Sequence, residues 1–232
     1  ARNVQSSQEA ALRHLKHDEI DEALELFEDI IFAYYAYFER TLKAREDNLG
    51  GAENGITDFR PYIGTALHNL GILNLLKAEY SQAKSNFERA VDNRRASLGE
   101  GHSDHVSSLV KLATCHYALN DFGEAHSKFE EALMYARRDA EELGDRMQMA
   151  EILNNLGCLA HMCGRLGAAN SLFRESMDVQ FSVMNQSLYV SSAAVGQSIS
   201  LNISITRANI GFVRLVTSDF SVAVTALENA LM

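Results

Sequence analysis

The 232-residue chain is 47% hydrophobic and 22% charged, with a formal net charge of −10. That length and apolar content suffice to bury a sizeable interior, whereas the acidic balance argues against a grip on nucleic acid, which rests on clustered Lys and Arg. A single proline, Pro61, and a preponderance of Ala, Leu, Glu and Asn over β-branched residues predict helices throughout. No run of eighteen apolar residues is free of charge, so no membrane insertion is expected.

In chain order, a first helix is predicted over Val4–Leu15 and a second from Asp18 towards Leu49. The middle of the second, Ile30–Phe38, is apolar nearly all round and is expected to be buried on more than one side. The connector Gly50–Pro61 is rich in Gly and Asn and reads as a surface loop. Beyond it a repeat becomes plain when Gly71, Ala113, Gly157 and Gly211 are aligned. Twelve residues after each stands Ala83, Ala125, Ala169 or Ala223; four later Phe87, Phe129, Phe173 or Leu227; three later Ala90, Ala132, Ser176 or Ala230. Ala11, Ala23, Phe27 and Ile30 form an earlier, weaker copy. Small residues let two antiparallel helices approach closely, and the large residue fills the space left between that pair and the next. Tyr80, Phe122, Leu166 and Phe220, each preceded by turn residues, close the hairpins. Hairpins are thus expected at about 4–49, 62–98, 104–143, 148–187 and 200–232. Ser187–Ser200 reads as loop or frayed helix, and neither insertion reads as a linker, so one domain over 1–232 is expected.

This pattern resembles the tetratricopeptide family over nearly the whole chain. The resemblance implies an all-α, right-handed superhelical solenoid of about five helical hairpins. Anchors at 11, 71, 113, 157 and 211 are spaced by 60, 42, 44 and 54 residues. The ordinary unit is about 34 residues, so extended second helices or connectors are expected. The segment Ala90–Ala113 is similar to the kinesin light chain repeat at Leu98-Gly99, His102, Asp104 and Val106, with Ser103 where that family has Pro. Ala136–Gly157 is similar to the repeats of spindle-orientation adaptors that bind short linear peptides.

In such arrays the first helices line the concave surface, which implies a partner-binding set: His68, Asn69 and Ile72, then Lys111, Thr114 and Tyr117, then Asn154, Asn155 and His161, then Asn209 and Phe212. Asn69, Asn155 and Asn209 recur at one position, with Lys111 in the third hairpin. An amide there either grips a peptide backbone, donating and accepting at once, or ties neighbouring hairpins together. The matching positions hold too few cations to capture a terminal carboxylate. His102-Ser103-Asp104-His105 reads as a turn capping the next helix rather than a metal site. No spacing of nucleophile, base and orienting carboxylate emerges, and no phosphate loop, so neither catalysis nor a cofactor or metal is expected.

The expected function is an adaptor whose concave groove holds a linear peptide or a helix of a partner protein. The alternative is a permanent structural subunit of a larger assembly, docked through apolar terminal surfaces and Ile30–Phe38, with self-association through the C-terminal apolar face on which Phe212, Val213, Leu215, Val216, Val222, Val224 and Leu227 crowd the last hairpin. Cys115, Cys158 and Cys163 lie in apolar helical patterns and fit reduced thiols, hence a cytoplasmic location. The chain starts at Ala1 without Met and stops inside an apolar pattern at Leu231-Met232, as expected of a piece of a longer protein.

Overall fold

A computed structural model describes residues 9–11, 13, 19–46, 59–138, 143–187, 193–217 and 220–231. Among these, nine long helices follow one another without a strand: α1 (Ile20–Glu46), α2 (Arg60–Leu76), α3 (Tyr80–Leu98), α4 (Ser103–Ala118), α5 (Phe122–Arg138), α6 (Leu143–Met162), α7 (Leu166–Ser187), α8 (Ala193–Val216) and α9 (Phe220–Leu231). Glu9–Ala11 are helical as well, within the predicted first helix, the rest of which lies largely outside the described residues. The chain divides into two compact units, Ala1–Leu119 with α1 to α4 and Asn120–Met232 with α5 to α9.

Helix bounds follow the repeat with three differences. Pro61 sits in the first turn of α2 instead of ending the connector, a place where its missing N–H removes no helical hydrogen bond. The rest of the predicted loop, residues 50–58, lies outside the described residues. The stretch Ser187–Ser200 is helical from Ala193 onward. Surplus length lies in second helices, 27 residues in α1, 19 in α3 and 22 in α7, but also in the first helices α6 and α8, of 20 and 24 residues.

The tight turns share one backbone device. Ala78, Asn120 and Gly164 all adopt positive φ, at 58°, 61° and 72°. In the turn after α2, Glu79 N donates to Asn74 O and Ala78 N to Leu75 O; after α6, Arg165 N donates to Ala160 O and Gly164 N to His161 O. A left-handed residue thus satisfies the last helical carbonyls and reverses the chain. Tyr80, Phe122, Leu166 and Phe220 are each the first residue of the following helix. In the first of these turns the buried Asn74 adds a side-chain stitch, donating to Glu79 Oε2 at 2.9 Å and accepting from Asn86 Nδ2 of α3 at 2.9 Å.

Within hairpins the small anchors touch the large residues directly. A Cβ placed on Gly71 would lie 2.8 Å from the Phe87 ring, one on Gly157 2.5 Å from Phe173, and one on Gly211 2.6 Å from Leu227. Phe87, Phe129 and Phe173 are all buried, and Phe173 also packs with Ile210 and Val213 of the next hairpin, filling the crevice between the two. In the first unit Phe27, Ile30, Ile31 and Tyr34 of α1 pack against Ile63, Leu67 and Leu70 of α2. Ile30–Phe38 departs from expectation here. Ile30, Ile31 and Tyr34 are buried, but Phe32 is 75% and Tyr37 53% exposed, Tyr37 meeting the Phe59 ring edge-on at 4.9 Å.

A polar lock joins α2, α3 and α4. Arg94 of α3 is 4% exposed; its Nη1 donates to Ser108 Oγ and to Asp104 O of α4, each at 2.8 Å. Gly64 makes room for it, since a Cβ there would meet Arg94 Cγ at 2.8 Å. His68 Nδ1 lies 3.1 Å from the same Ser108 hydroxyl, and its ring meets Phe87 edge-on. Burial first, then the positive charges of Arg94 and Lys111, push the His68 imidazole down to a pKa of about 3.

Three consequences are measurable. Gly157→Ala should destabilise the protein by about 1–3 kcal/mol in denaturant unfolding despite the better helix propensity of Ala. Gly167→Ala, where an added Cβ meets nothing within 4 Å, should be neutral or stabilising by up to about 1 kcal/mol. Ala78→Gly should raise stability by about 1 kcal/mol by relieving a left-handed alanine, and Gly164→Ala should lower it by a similar amount. Because His68 is held below its unfolded pKa of 6.5, the folded state refuses a proton that the unfolded state binds. Its contribution is therefore complete above pH 6.5 and lost as pH falls towards 3, at up to about 1.4 kcal/mol per pH unit. His68→Gln should remove that share of the slope between about pH 6.5 and 5.5 in urea titrations.

Candidate functional site

The expected binding positions lie on the first helices of successive hairpins and are taken unit by unit. In the first unit Asn69 and Ile72 of α2 and Lys111, Thr114 and Tyr117 of α4 are half-buried. The Thr114 hydroxyl donates to Val110 O at 2.9 Å, a bond within its own helix. His68 is different: it is 8% exposed and belongs to the lock between hairpins, so its ring is not on the surface with its neighbours. Leu76, at the end of α2, is 64% exposed beside this set.

In the second unit Asn154, Asn155 and His161 of α6 and Asn209 of α8 are half-buried, and Phe212 is 57% exposed. Asn209 Nδ2 donates to Asn154 Oδ1 at 3.0 Å and approaches Cys158 Sγ at 3.6 Å, so this amide ties α8 to α6. His161 Nδ1 is buried without a hydrogen-bond partner among the described residues. Asn155 instead lines a cavity of about 580 Å³ between α6, α7 and α8. Met147, Ile199 and Ile205 supply its apolar lining, and Glu151, Asn202 and Gln180 join Asn155 on the polar side. Among the described residues no Lys or Arg lines it.

Gln180 and Glu151 were not among the positions that the repeat singles out. Gln180 is on a second helix, four residues after the small Ser176, and reaches the cavity because α7 passes under both α6 and α8 contacts: Ser176 Oγ donates to Ala150 O of α6 at 2.7 Å, and Gln180 Nε2 donates to Thr206 Oγ1 of α8 at 3.1 Å. The one signal available in sequence is its place in the repeat, twenty-three residues after Gly157, as Arg94 is after Gly71.

The loop before α4 serves its own backbone. His102 Nδ1 accepts from Asp104 N at 3.2 Å as the helix cap, and His105 Nδ1 accepts from Gly101 N at 3.4 Å. Among the described residues no cluster of three or more His, Cys, Asp or Glu is placed to hold a metal ion, and no helix is long and apolar enough to cross a membrane. The three cysteines are free; burial pushes the Cys115 thiol up to about 12 and raises that of Cys158, which leaves both as packing groups rather than nucleophiles.

The sequence matches the tetratricopeptide repeat family over residues 62–138 and again over 149–180. No curated protein matches it by sequence. Solved structures share the fold at low identity. The chain superposes on BtubC (BKLC) from P. vanneervenii with a TM-score of 0.64 at 18% identity, covering 99% of this chain and 87% of that one. A kinesin light chain-like protein of nearly identical TPR-like repeats from Podosopora anserina gives 0.55 at 15% identity over 98% and 93%. The Rap conjugation gene regulator of plasmid pLS20, solved in complex with the Phr* peptide, gives 0.65 at 14% identity over 99% of this chain and 52% of that one. With its close-packed hairpins, its left-handed turns and these matches, the chain is an all-α protein built on tetratricopeptide repeats, a type of repeat found in protein-interaction scaffolds, and it shares its fold with solved kinesin light chain-like repeat structures.

Proposed function

We propose that this chain is an adaptor, not an enzyme, that holds an extended peptide or a helix of a partner protein on the first-helix face of its hairpins. The observation that supports this most directly is the cavity between α6 and α8, which is open to a ligand and lined by amides, a carboxylate and apolar side chains, with Phe212 exposed further along α8. Side-chain amides can pair with both the N–H and the C=O of a bound backbone, and apolar walls accept alternate side chains. Asn155 is the residue assigned to backbone contact, with Asn69, Ile72, Lys111, Thr114 and Tyr117 forming the corresponding set in the first unit. Asn154, His161, Asn209 and Phe212 complete the second. The peptide carried by the Rap regulator of like fold is in keeping with this use of the architecture.

A second reading, a subunit held permanently in a larger assembly, is favoured by a specific observation: Phe212, Val216 and Val224 of the last hairpin are 57%, 60% and 51% exposed. The single-solenoid organisation over 1–232 belongs to both readings, and the free thiols, Cys115 buried, Cys158 half-buried and Cys163 exposed, fit a reducing compartment such as the cytoplasm in either.

Selection of a displayed peptide library against the full chain tests the first reading. Asn155 makes no side-chain hydrogen bond among the described residues, so Asn155→Ala should weaken selected peptides about two- to tenfold while leaving the melting temperature unchanged. Asn209→Ala should lower stability by about 1 kcal/mol through loss of its bond to Asn154. Peptides whose affinity ignores Asn155, together with a chain that sediments only as a large self-associated species, would favour the assembly subunit.

A further inference from the structure

The two hairpin junctions that contain a polar lock are built on the same register. Arg94 and Gln180 each stand twenty-three residues after the glycine of their hairpin, and Ser108 and Thr206 each stand five before the next anchor. Both long side chains donate to the hydroxyl opposite: Arg94 Nη1 to Ser108 Oγ at 2.8 Å, Gln180 Nε2 to Thr206 Oγ1 at 3.1 Å. One junction is therefore filled by a guanidinium from the chain itself, and the other by a shorter, uncharged amide.

The orientation of the Gln180 amide is fixed by its surroundings. Ser176 Oγ gives its proton to Ala150 O at 2.7 Å, and Thr206 Oγ1 gives its own to Asn202 O at 3.0 Å. Each hydroxyl can then only accept from Gln180, so both amide protons are used, at 3.3 and 3.1 Å. The carbonyl Oε1 is left buried and without a hydrogen-bond partner among the described residues, in a side chain 2% exposed that lines the 580 Å³ cavity. An orphaned buried acceptor is destabilising, and a donor brought by a ligand would recover the lost interaction.

We infer that this cavity is the subsite for a guanidinium, the arginine side chain of a bound peptide, which takes beside Gln180 and Thr206 the role that Arg94 fills internally beside Ser108. Met147, Ile199 and Ile205 flank the aliphatic stem. Gln180 Oε1 accepts from one N–H, and Asn155 and the Glu151 carboxylate offer further acceptors to the remaining donors of the planar head. Among the described residues no Lys or Arg lines the cavity, and the chain as a whole carries a net charge of −10 that favours a cation. The inference rests on the peptide-holding reading above and adds to it the kind of residue that one position of the ligand must carry.

Titration of the full chain with N-acetyl-arginine amide, followed by NMR of side-chain amide groups, tests it. The Gln180 amide, identified by its loss in Gln180→Met, and the backbone amides of Asn155 and Ile205 should shift and saturate in the millimolar range, while the norleucine and glutamate counterparts leave them in place. Glu151→Gln, a change at an exposed position, should weaken the arginine probe about two- to fivefold without altering the fold. A Gln180 amide that arginine does not move, or that norleucine moves equally, overturns the inference and leaves the cavity to water. Selected peptides that shift Asn155 yet carry no basic residue would also overturn it while the peptide-holding reading stood. An arginine-specific shift without any selected peptide would support the subsite and count against that reading.

Discussion

Everything in this fold depends on the absence of a side chain at three glycines. At Gly71, Gly157 and Gly211 the space where a Cβ would sit is already taken by Phe87, Phe173 and Leu227. Dispersion falls steeply with separation, so a contact at that distance can form only when one partner is a bare backbone. The helices of a pair are thereby set close together, the aromatic ring is sealed from water, and the next hairpin meets a ridge of fixed height. The positions of Asn154, Asn155 and Asn209 along their helices, and hence the cavity between α6 and α8, follow from that spacing.

Polar groups at the two junctions are arranged alike, and each keeps one buried atom without a hydrogen-bond partner among the described residues, Arg94 Nε in the first and Gln180 Oε1 in the second. In the first unit a buried guanidinium, an imidazole held neutral and a serine hydroxyl share one site, with helix α4 contributing both a side chain and a carbonyl. In the second unit the corresponding site has two hydroxyls and an amide whose carbonyl is unmatched. A buried mismatch is the exception in a native interior, where polar groups that lose water regain a partner. That the second mismatch borders an amide-lined cavity links a local defect in satisfaction to the face where a ligand is expected.

Much of the fold was legible because it is written in short-range spacing. Small residue, alanine and large residue recur at fixed intervals, the turn residues sit just before Tyr80, Phe122 and Leu166, and these landed where expected. What the spacing could not supply was the number of neighbours around a helix: Ile30–Phe38 is apolar on every side, yet Phe32 and Tyr37 face outward, since composition records a residue's preference and not what surrounds it. The candidate site was legible in outline only. Asn209 could be read as a ligand contact or a tie between hairpins, and its bond to Asn154 shows it acting as a tie. His68 looked like a surface position by count and is held inside by Ser108, because a hydroxyl forty residues later decides where the ring goes. Gln180 carries no motif at all, and its significance arises only when the protons of two distant hydroxyls are accounted for.

The left-handed residues at Ala78, Asn120 and Gly164 have a kinetic meaning as well. Within the units, Ala78 and Gly164 each reverse the chain within about three residues, so the contacts that define a hairpin are between segments close in sequence, and little loop-closure entropy separates the unfolded chain from a first native pair. Such low contact order favours rapid nucleation at whichever hairpin is intrinsically strongest, followed by growth onto its neighbours. A nascent chain of this design can begin to fold as each turn emerges from the ribosome, long before its last helix has been synthesised.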